Sequence, residues 1–245
     1  MAGIPWFYAP PRAWSAHEVA LPPDESRHAL KVLRVASSDP VVVIDGCGTV
    51  ARCAAARVDG DVLVSRILTR DVHARPRPEI AVYQGAARGH KLDDVVERLG
   101  ELGVAELSAY ESARAVARWD GDKAERRAAR WNAIARSAAK VSRSGFALHA
   151  RAGLSWDDVV ACVAREAAAI VLWEEATSPL RDALVGAPER VALVVGPEGG
   201  LARAEASALE GAGARLVSLG PRVLRTENAA VVAASAVLFH YGVIG

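Results

Sequence analysis

The stretch "VALVVGPEGGL" (residues 191–201) decides how the rest of the chain is read. An apolar run passes directly into a glycine-rich turn, and "ARAEASALEGAG" (202–213) follows as a helix-like segment. Strand, glycine turn and helix form the usual geometry for holding a nucleotide at a helix mouth. The residues of the turn narrow the choice. A Walker loop ends in Gly-Lys-Ser/Thr, whereas here Gly200 is followed by Leu201. A dinucleotide fingerprint needs G-x-G-x-x-G, but its third position is Glu198 and the third glycine is absent. A carboxylate there repels a pyrophosphate, and no lysine stands nearby in the sequence to offset it. The turn suits a nucleoside cofactor without phosphates, and S-adenosylmethionine is one. A tight strand-to-helix connection with no ligand fits the same residues.

The grammar of this stretch repeats. "AAIVLWEEAT" (168–177), "RVALVVGPEGG" (190–200) and "ARLVSLGPRVLRTENAA" (214–230) are three strand-to-turn transitions separated by helical stretches. Upstream, "EIAVYQGAA" (79–87) and "ELSAYES" (106–112) read as strands. Between them Leu92, Val95, Val96, Leu99 and Leu102 have helical spacing. The alternation predicts an α/β fold with a parallel sheet, whose ligands bind outside the carboxyl ends of the strands. The third transition crowds Arg222, Arg225, Thr226, Glu227 and Asn228 at the head of a very apolar helix. Polar groups placed there are costly if unpaired, which points to a site rather than packing.

Residues 1–72 follow a different pattern. "PVVVIDGCGTVARCAAARVDGDVLVSRIL" (40–68) holds short apolar runs separated by Asp45-Gly46 and Asp59-Gly60, a hairpin signal. This predicts a small barrel or open sheet over 1–72, a linker at "DVHARPRP" (71–78), and a second domain over 73–245. The segment 123–145 predicts a long helix with seven basic residues against one acid, Glu125. Trp131, Ile134, Ala138 and Val141 share one face, with Arg136, Lys140 and Arg143 opposite, a stripe that is either solvated or turned to RNA.

Composition bounds the rest. The chain has 245 residues, about half hydrophobic, and a net charge of +1, which alone does not suggest nucleic acid. No apolar run reaches the ~18 residues of a membrane span, and the opening stretch shows no secretory signal pattern. Three cysteines without a CxxC pair fit free thiols in a reducing cytoplasm and supply no metal site. Four of the 30 basic residues are lysine. The arginine bias fits a GC-rich genome or phosphate recognition.

"VVGPEGGL" followed by "LGPRVLRTENAA" closely resembles the RsmE family of ribosomal RNA methyltransferases, in the SPOUT superfamily. "RHALKVLRV" (27–35) and "GHKLDDVVERLGELGV" (89–104) extend the resemblance over the whole chain. It implies a small PUA-like β-barrel followed by a SPOUT-type domain with a deep trefoil knot. It also implies a cytoplasmic homodimer with no membrane association, with S-adenosylmethionine bound bent among three knot loops. The reaction implied is methylation of N3 of one uridine in the decoding region of 16S rRNA, within the small ribosomal subunit. Carried over by position, Leu172, Trp173, Gly196, Gly199, Gly200, Leu219, Gly220 and Leu224 would hold the cofactor, the glycines by letting the backbone approach it. Arg225 and Thr226 would lie nearest the chemistry. On an RNA substrate, Arg34, the long helix with Arg136, Lys140 and Arg143, and Arg222 are the expected contacts. Three places depart from the family pattern: "KVSRS" (140–144) replaces Glu-Gln-Ser/Cys-Gly-Arg, Thr226-Glu227-Asn228-Ala229 replaces Thr-Glu-Thr-Ala, and Arg88 stands where lysine is common.

Uracil N3 must lose its proton to attack a methyl group, and the charge spreads onto O2 and O4. Arg225, then Arg222, is the group expected to stabilise it. Glu198 and Glu227 are candidate bases, each also readable as a cap or brace, and water or hydroxide would serve as well. His28 reads as a packed residue more than an RNA contact. Two other functions remain open at this point: a ribose 2′-O-methyltransferase, and a non-catalytic assembly factor that binds RNA.

Overall fold

The computed structural model describes residues 3–114, 119 and 121–245. Contacts divide the chain into two compact units. One holds the residues up to Arg75 together with Arg136–Ala147; the other holds Pro76–Ala135 and Leu148–Gly245.

The first unit is built on β1 (Trp6–Tyr8), β2 (Glu18–Ala20), β3 (Pro40–Ile44), β4 (Thr49–Asp59) and β5 (Val62–Val72), with the short helix α1 (Pro23–Arg27) after β2. The strands form one sheet in the order β1-β3-β4-β5-β2, parallel only between β1 and β3. Asp59 pairs with Val62 across a tight loop in which Gly60 takes φ +59°, so this Asp-Gly is the hairpin turn its sequence suggests. Asp45-Gly46 opens a longer connection. The Asp45 carboxylate accepts from the amides of Cys47 (2.7 Å) and Thr49 (2.9 Å), tying the loop across itself. Phe7, Val19, Val41, Val43, Ala51, Cys53 and Leu63 form the core, drawn largely from alternate positions as the pleat requires.

The second unit is a six-stranded, all-parallel sheet. Its strands are β6 (Glu79–Gly85), β7 (Glu106–Tyr110), β8 (His149–Leu154), β9 (Ala169–Leu172), β10 (Arg190–Val195) and β11 (Arg215–Val217), in the order β11-β9-β10-β6-β7-β8. Helices α2 (Lys91–Glu101), α3 (Gly121–Val141), α4 (Trp156–Val163), α5 (Leu180–Ala183), α6 (Arg203–Gly211) and α7 (Thr226–His240) complete the α/β alternation. The strands are apolar almost throughout because both sheet faces are covered. Ile80, Val82, Leu193 and Val195 point to one face, with α2 and the alanine-rich α7; Ala81, Tyr83, Ala192 and Val194 point to the other, with α4 and α6. No described helix is long and apolar enough to cross a membrane.

The long helix departs from its expected face. Its buried stripe is Trp131, Ala135, Ala138 and Ala139, whereas Val141 is 70% exposed. The helix ends at Val141, four residues before the expected end at 145, with Arg143 beyond it at φ +56°.

Candidate functional site

Three loops leave the carboxyl ends of β9, β10 and β11, and together they line one cavity of about 940 Å3. This is the edge at which parallel sheets bind ligands, here beside the point where the strand order reverses between β6 and β10. Leu172, Trp173, Gly196, Gly199, Gly200, Leu219, Gly220 and Leu224 all line it, as do Arg222, Arg225 and Thr226.

The β9 loop begins with Trp173, whose amide donates to Val217 O on β11 (2.9 Å). The Arg203 guanidinium lies 5.6 Å from the centre of the Trp173 ring. The indole N–H of Trp173 is buried with no hydrogen-bond partner among the described residues.

The β10 loop is the stretch 196–201. Gly200 N donates to Pro197 O (2.9 Å), and Gly200 takes φ +70°. A Cβ there would stand 2.5 Å from Glu174 Oε1, and one on Gly196 would stand 3.1 Å from the backbone of Gly200 and Leu201. Gly199 faces the side chain of Arg114 at 3.3 Å. At Gly200 the positive φ, and at Gly196 the close backbone of Gly200 and Leu201, make a side chain costly to the loop itself. Gly220, at φ +110° in the β11 loop, is the cavity glycine with open space around it.

Glu198 is not the uncompensated charge its sequence context suggests. Its Oε1 accepts from Lys91 Nζ (3.1 Å) and from the amide of Arg88 (3.2 Å). Burial pushes its carboxyl up, but the hydrogen bonds from Lys91 and from backbone amides outweigh it and hold the group below the usual carboxylate range. A carboxylate so held is a poor proton acceptor.

Thr226 opens α7 and is buried. Its hydroxyl accepts from Gln84 Nε2 (2.7 Å) and donates to the carbonyl of Gly196. A hydroxyl has one proton, and here it is already given. The hydroxyl links the start of α7 to the ends of β6 and β10. Gln84, fully buried, is the partner that sequence reading missed. The available signal was a glutamine inside the apolar strand "EIAVYQG", at its ligand-facing end.

Replacing Thr226 with valine keeps the shape and leaves Gln84 and Gly196 without their partner. The expected result is a stability loss of about 1–3 kcal/mol and a cofactor Kd raised about tenfold, a shift worth ~1.4 kcal/mol. At saturating cofactor, kcat should stay within about threefold, and Thr226→Ser should behave as wild type. Calorimetry and turnover measured together check this; a collapse of kcat with unchanged Kd would place Thr226 in the chemistry.

Arg222, Arg225 and Glu227 remain. Arg225 is the N-cap of α7, and its side chain caps nothing. Among the described residues neither guanidinium has an ion-pair or hydrogen-bond partner, and Glu227 Oε2 is buried without one.

The residues expected to contact RNA elsewhere lie in the first unit. Arg34 is exposed, with φ +56°. Arg143 is exposed, and the Arg136 guanidinium lies 5.1 Å from the centre of the Tyr8 ring. Lys140 is turned inward, paired with the buried carboxylate of Glu25, so its charge is already matched and the expected stripe is broken there. His28 is exposed, with its ring set edge-on to Phe7 at 6.4 Å between centroids.

Residues 74–238 match the family described as RNA methyltransferase domain. The chain is 38% identical to ribosomal RNA small subunit methyltransferase E of Mycobacterium tuberculosis, over 87% of this chain and 83% of that one. It is 27% identical to the Bacillus subtilis protein of the same name, over 88% of each. Among solved structures, a Legionella pneumophila methyltransferase in complex with SAM superposes with a TM-score of 0.88 at 27% identity, covering 98% of both chains. The Neisseria gonorrhoeae ribosomal RNA small subunit methyltransferase E bound to S-adenosyl methionine gives 0.85 at 25% identity, also covering 98% of both.

Proposed function

The chain belongs to the RNA methyltransferase family, as an RsmE-type member, and from that premise we propose that it methylates N3 of one uridine in the decoding region of 16S rRNA. The reading rests on one observation: the strand-end loops line one cavity whose two arginines have no ion-pair or hydrogen-bond partner among the described residues.

S-adenosylmethionine fits this donor set. Glu174 offers negative charge for a sulfonium, the buried indole N–H of Trp173 has no acceptor among the described residues, and the loop from Leu219 to Leu224 offers backbone groups to an adenine. When bound, the cofactor supplies an electrophilic methyl group. The volume lies near the upper end of ordinary ligand sites, which span ~300–1,000 Å3, and leaves room for a base beside a nucleoside. Arg225 stabilises negative charge on the uracil carbonyls, with Arg222 second. Thr226, through Gln84, keeps the β10 loop and the head of α7 in register.

RNA is held by Arg34, Arg136 and Arg143 on residues 1–72 and the end of α3, and the target base is extruded into the cavity. Residues 1–72 act as a PUA-like barrel and residues 73–245 as a SPOUT domain with a trefoil knot. The enzyme works as a cytoplasmic homodimer on the small ribosomal subunit.

A methyl on N3 blocks the Watson–Crick edge, so reverse transcriptase stops one nucleotide before it. Small subunits from a strain lacking this gene should lose a strong stop at one uridine near the 3′ end of 16S rRNA. Purified enzyme and S-adenosylmethionine should restore it. A restored mark that protects one phosphodiester bond from alkali, and is read through at high nucleotide concentration, would place the methyl on a ribose 2′-oxygen instead. No mark, despite cofactor binding, would make the protein an assembly factor.

A further inference from the structure

We propose that Glu227 is the proton acceptor for the imide N3–H of the target base, an assignment that rests on the uridine reading above. Three carboxylates line the cavity: Glu174, Glu198 and Glu227. Glu198 is committed to Lys91 and to the amide of Arg88. Glu174 is exposed and lies over Gly200, on the β9 loop. Glu227 is neither paired nor fully solvated. It lines the cavity, yet Oε2 is sealed from solvent with no donor among the described residues. Leaving such an oxygen unmatched is destabilising, and a native structure that keeps one has a reason for it.

The chemistry of the target supplies that reason. The pairing edge of uracil presents acceptor, donor, acceptor: O4, N3–H, O2. Its complement is a carboxylate flanked by cationic donors. Arg222, Arg225 and Glu227 lie within six residues of one another, line one cavity, and are not spent on other ion pairs. In the step itself the N3 proton passes to the Glu227 carboxylate. The N3 electron pair forms the bond to the methyl carbon as the carbon–sulfur bond breaks, and that bonding pair stays on sulfur. The two guanidiniums hold the charge that builds on O2 and O4. The proton leaves Glu227 to water after the product departs.

The test is Glu227→Gln in the full-length protein, assayed on small subunits, with cofactor affinity measured separately by calorimetry. At neutral pH kcat should fall about 100-fold, while cofactor Kd changes less than about threefold. The residual rate should then climb about tenfold per pH unit, since hydroxide replaces the missing base. The other ionisable groups of the cavity are Lys91, Glu174, Glu198, Arg222 and Arg225, all retained in the variant. Glu227→Asp, which keeps the acid, should retain the wild-type pH profile at reduced kcat, and it serves if the glutamine variant fails to fold. A flat profile in Glu227→Gln, or a Kd raised more than about tenfold with kcat intact, overturns the assignment. Loss of the wild-type profile in the aspartate variant overturns it as well. A wild-type product other than N3-methyluridine overturns the uridine reading instead, so the two failures are distinguishable.

Discussion

Arg225→Ala should lower kcat by about 100- to 1,000-fold, the usual cost of removing one preorganised group that faces charge developing in a transition state. The side chain lines the cavity, is exposed, caps nothing and pairs with nothing among the described residues. Its removal should therefore change stability by less than about 0.5 kcal/mol, as for an ordinary surface position. Cofactor Kd should stay within about threefold, because an interaction made mainly in the transition state does not show in ground-state binding. Arg225→Lys should recover part of the loss, since an ammonium keeps the charge without the planar fork. Turnover at saturating cofactor, with Kd from calorimetry, reads both quantities. A raised Kd with kcat preserved would make Arg225 a binding residue and move the charge-stabilising role to Arg222.

The second large effect belongs to a residue outside the cavity lining. A Cβ on Gly85 would stand 2.3 Å from Pro197 N and 2.7 Å from the carbonyl carbon of Gly196. Both are backbone atoms of the β10 loop, so no side chain can swing away, and the loop itself must move. Gly85→Ala should cost about 3 kcal/mol of stability, at the upper end for overpacking, or roughly 6–12 °C in Tm for a chain of this size. Moving the loop also breaks the Gln84–Thr226–Gly196 brace, so cofactor affinity should fall at least about 100-fold, ~2.7 kcal/mol. Gly211 provides the control. It lies at the end of α6, and a Cβ placed there would meet nothing within 4 Å. Gly211→Ala should be neutral or more stable by about 0.5–1 kcal/mol. Thermal melts of the two variants side by side separate a specific clash from a general glycine effect, and equal behaviour of both would show that the β10 loop does not rest on Gly85.

Much of this molecule is legible in one dimension. The period-2 apolar runs, the helical spacing of Leu92, Val95, Val96 and Leu99, and the glycine turns at strand ends are local patterns, each complete within about ten residues. They are enough for an α/β fold with its site at the carboxyl edge of a parallel sheet. Since all three strand-end loops emerge at that edge, the eight expected cofactor positions come together once the sheet forms. The two C-terminal motifs also carried the family resemblance. What tertiary structure decided is which side chain meets which. Lys91 reaches Glu198 across 107 positions, Lys140 reaches Glu25 across 115, and Gln84 reaches Thr226 across 142. No periodicity connects residues so far apart. A carboxylate, an ammonium or a hydroxyl looks the same in sequence whether it is spent on a distant partner or left free. That difference sets Glu198 against Lys91, Thr226 against Gln84 and Lys140 against Glu25. It leaves Arg222, Arg225 and Glu227 unspent, because a buried polar group must be matched by protein, by water or by ligand, and only the folded chain shows which groups the protein has already matched.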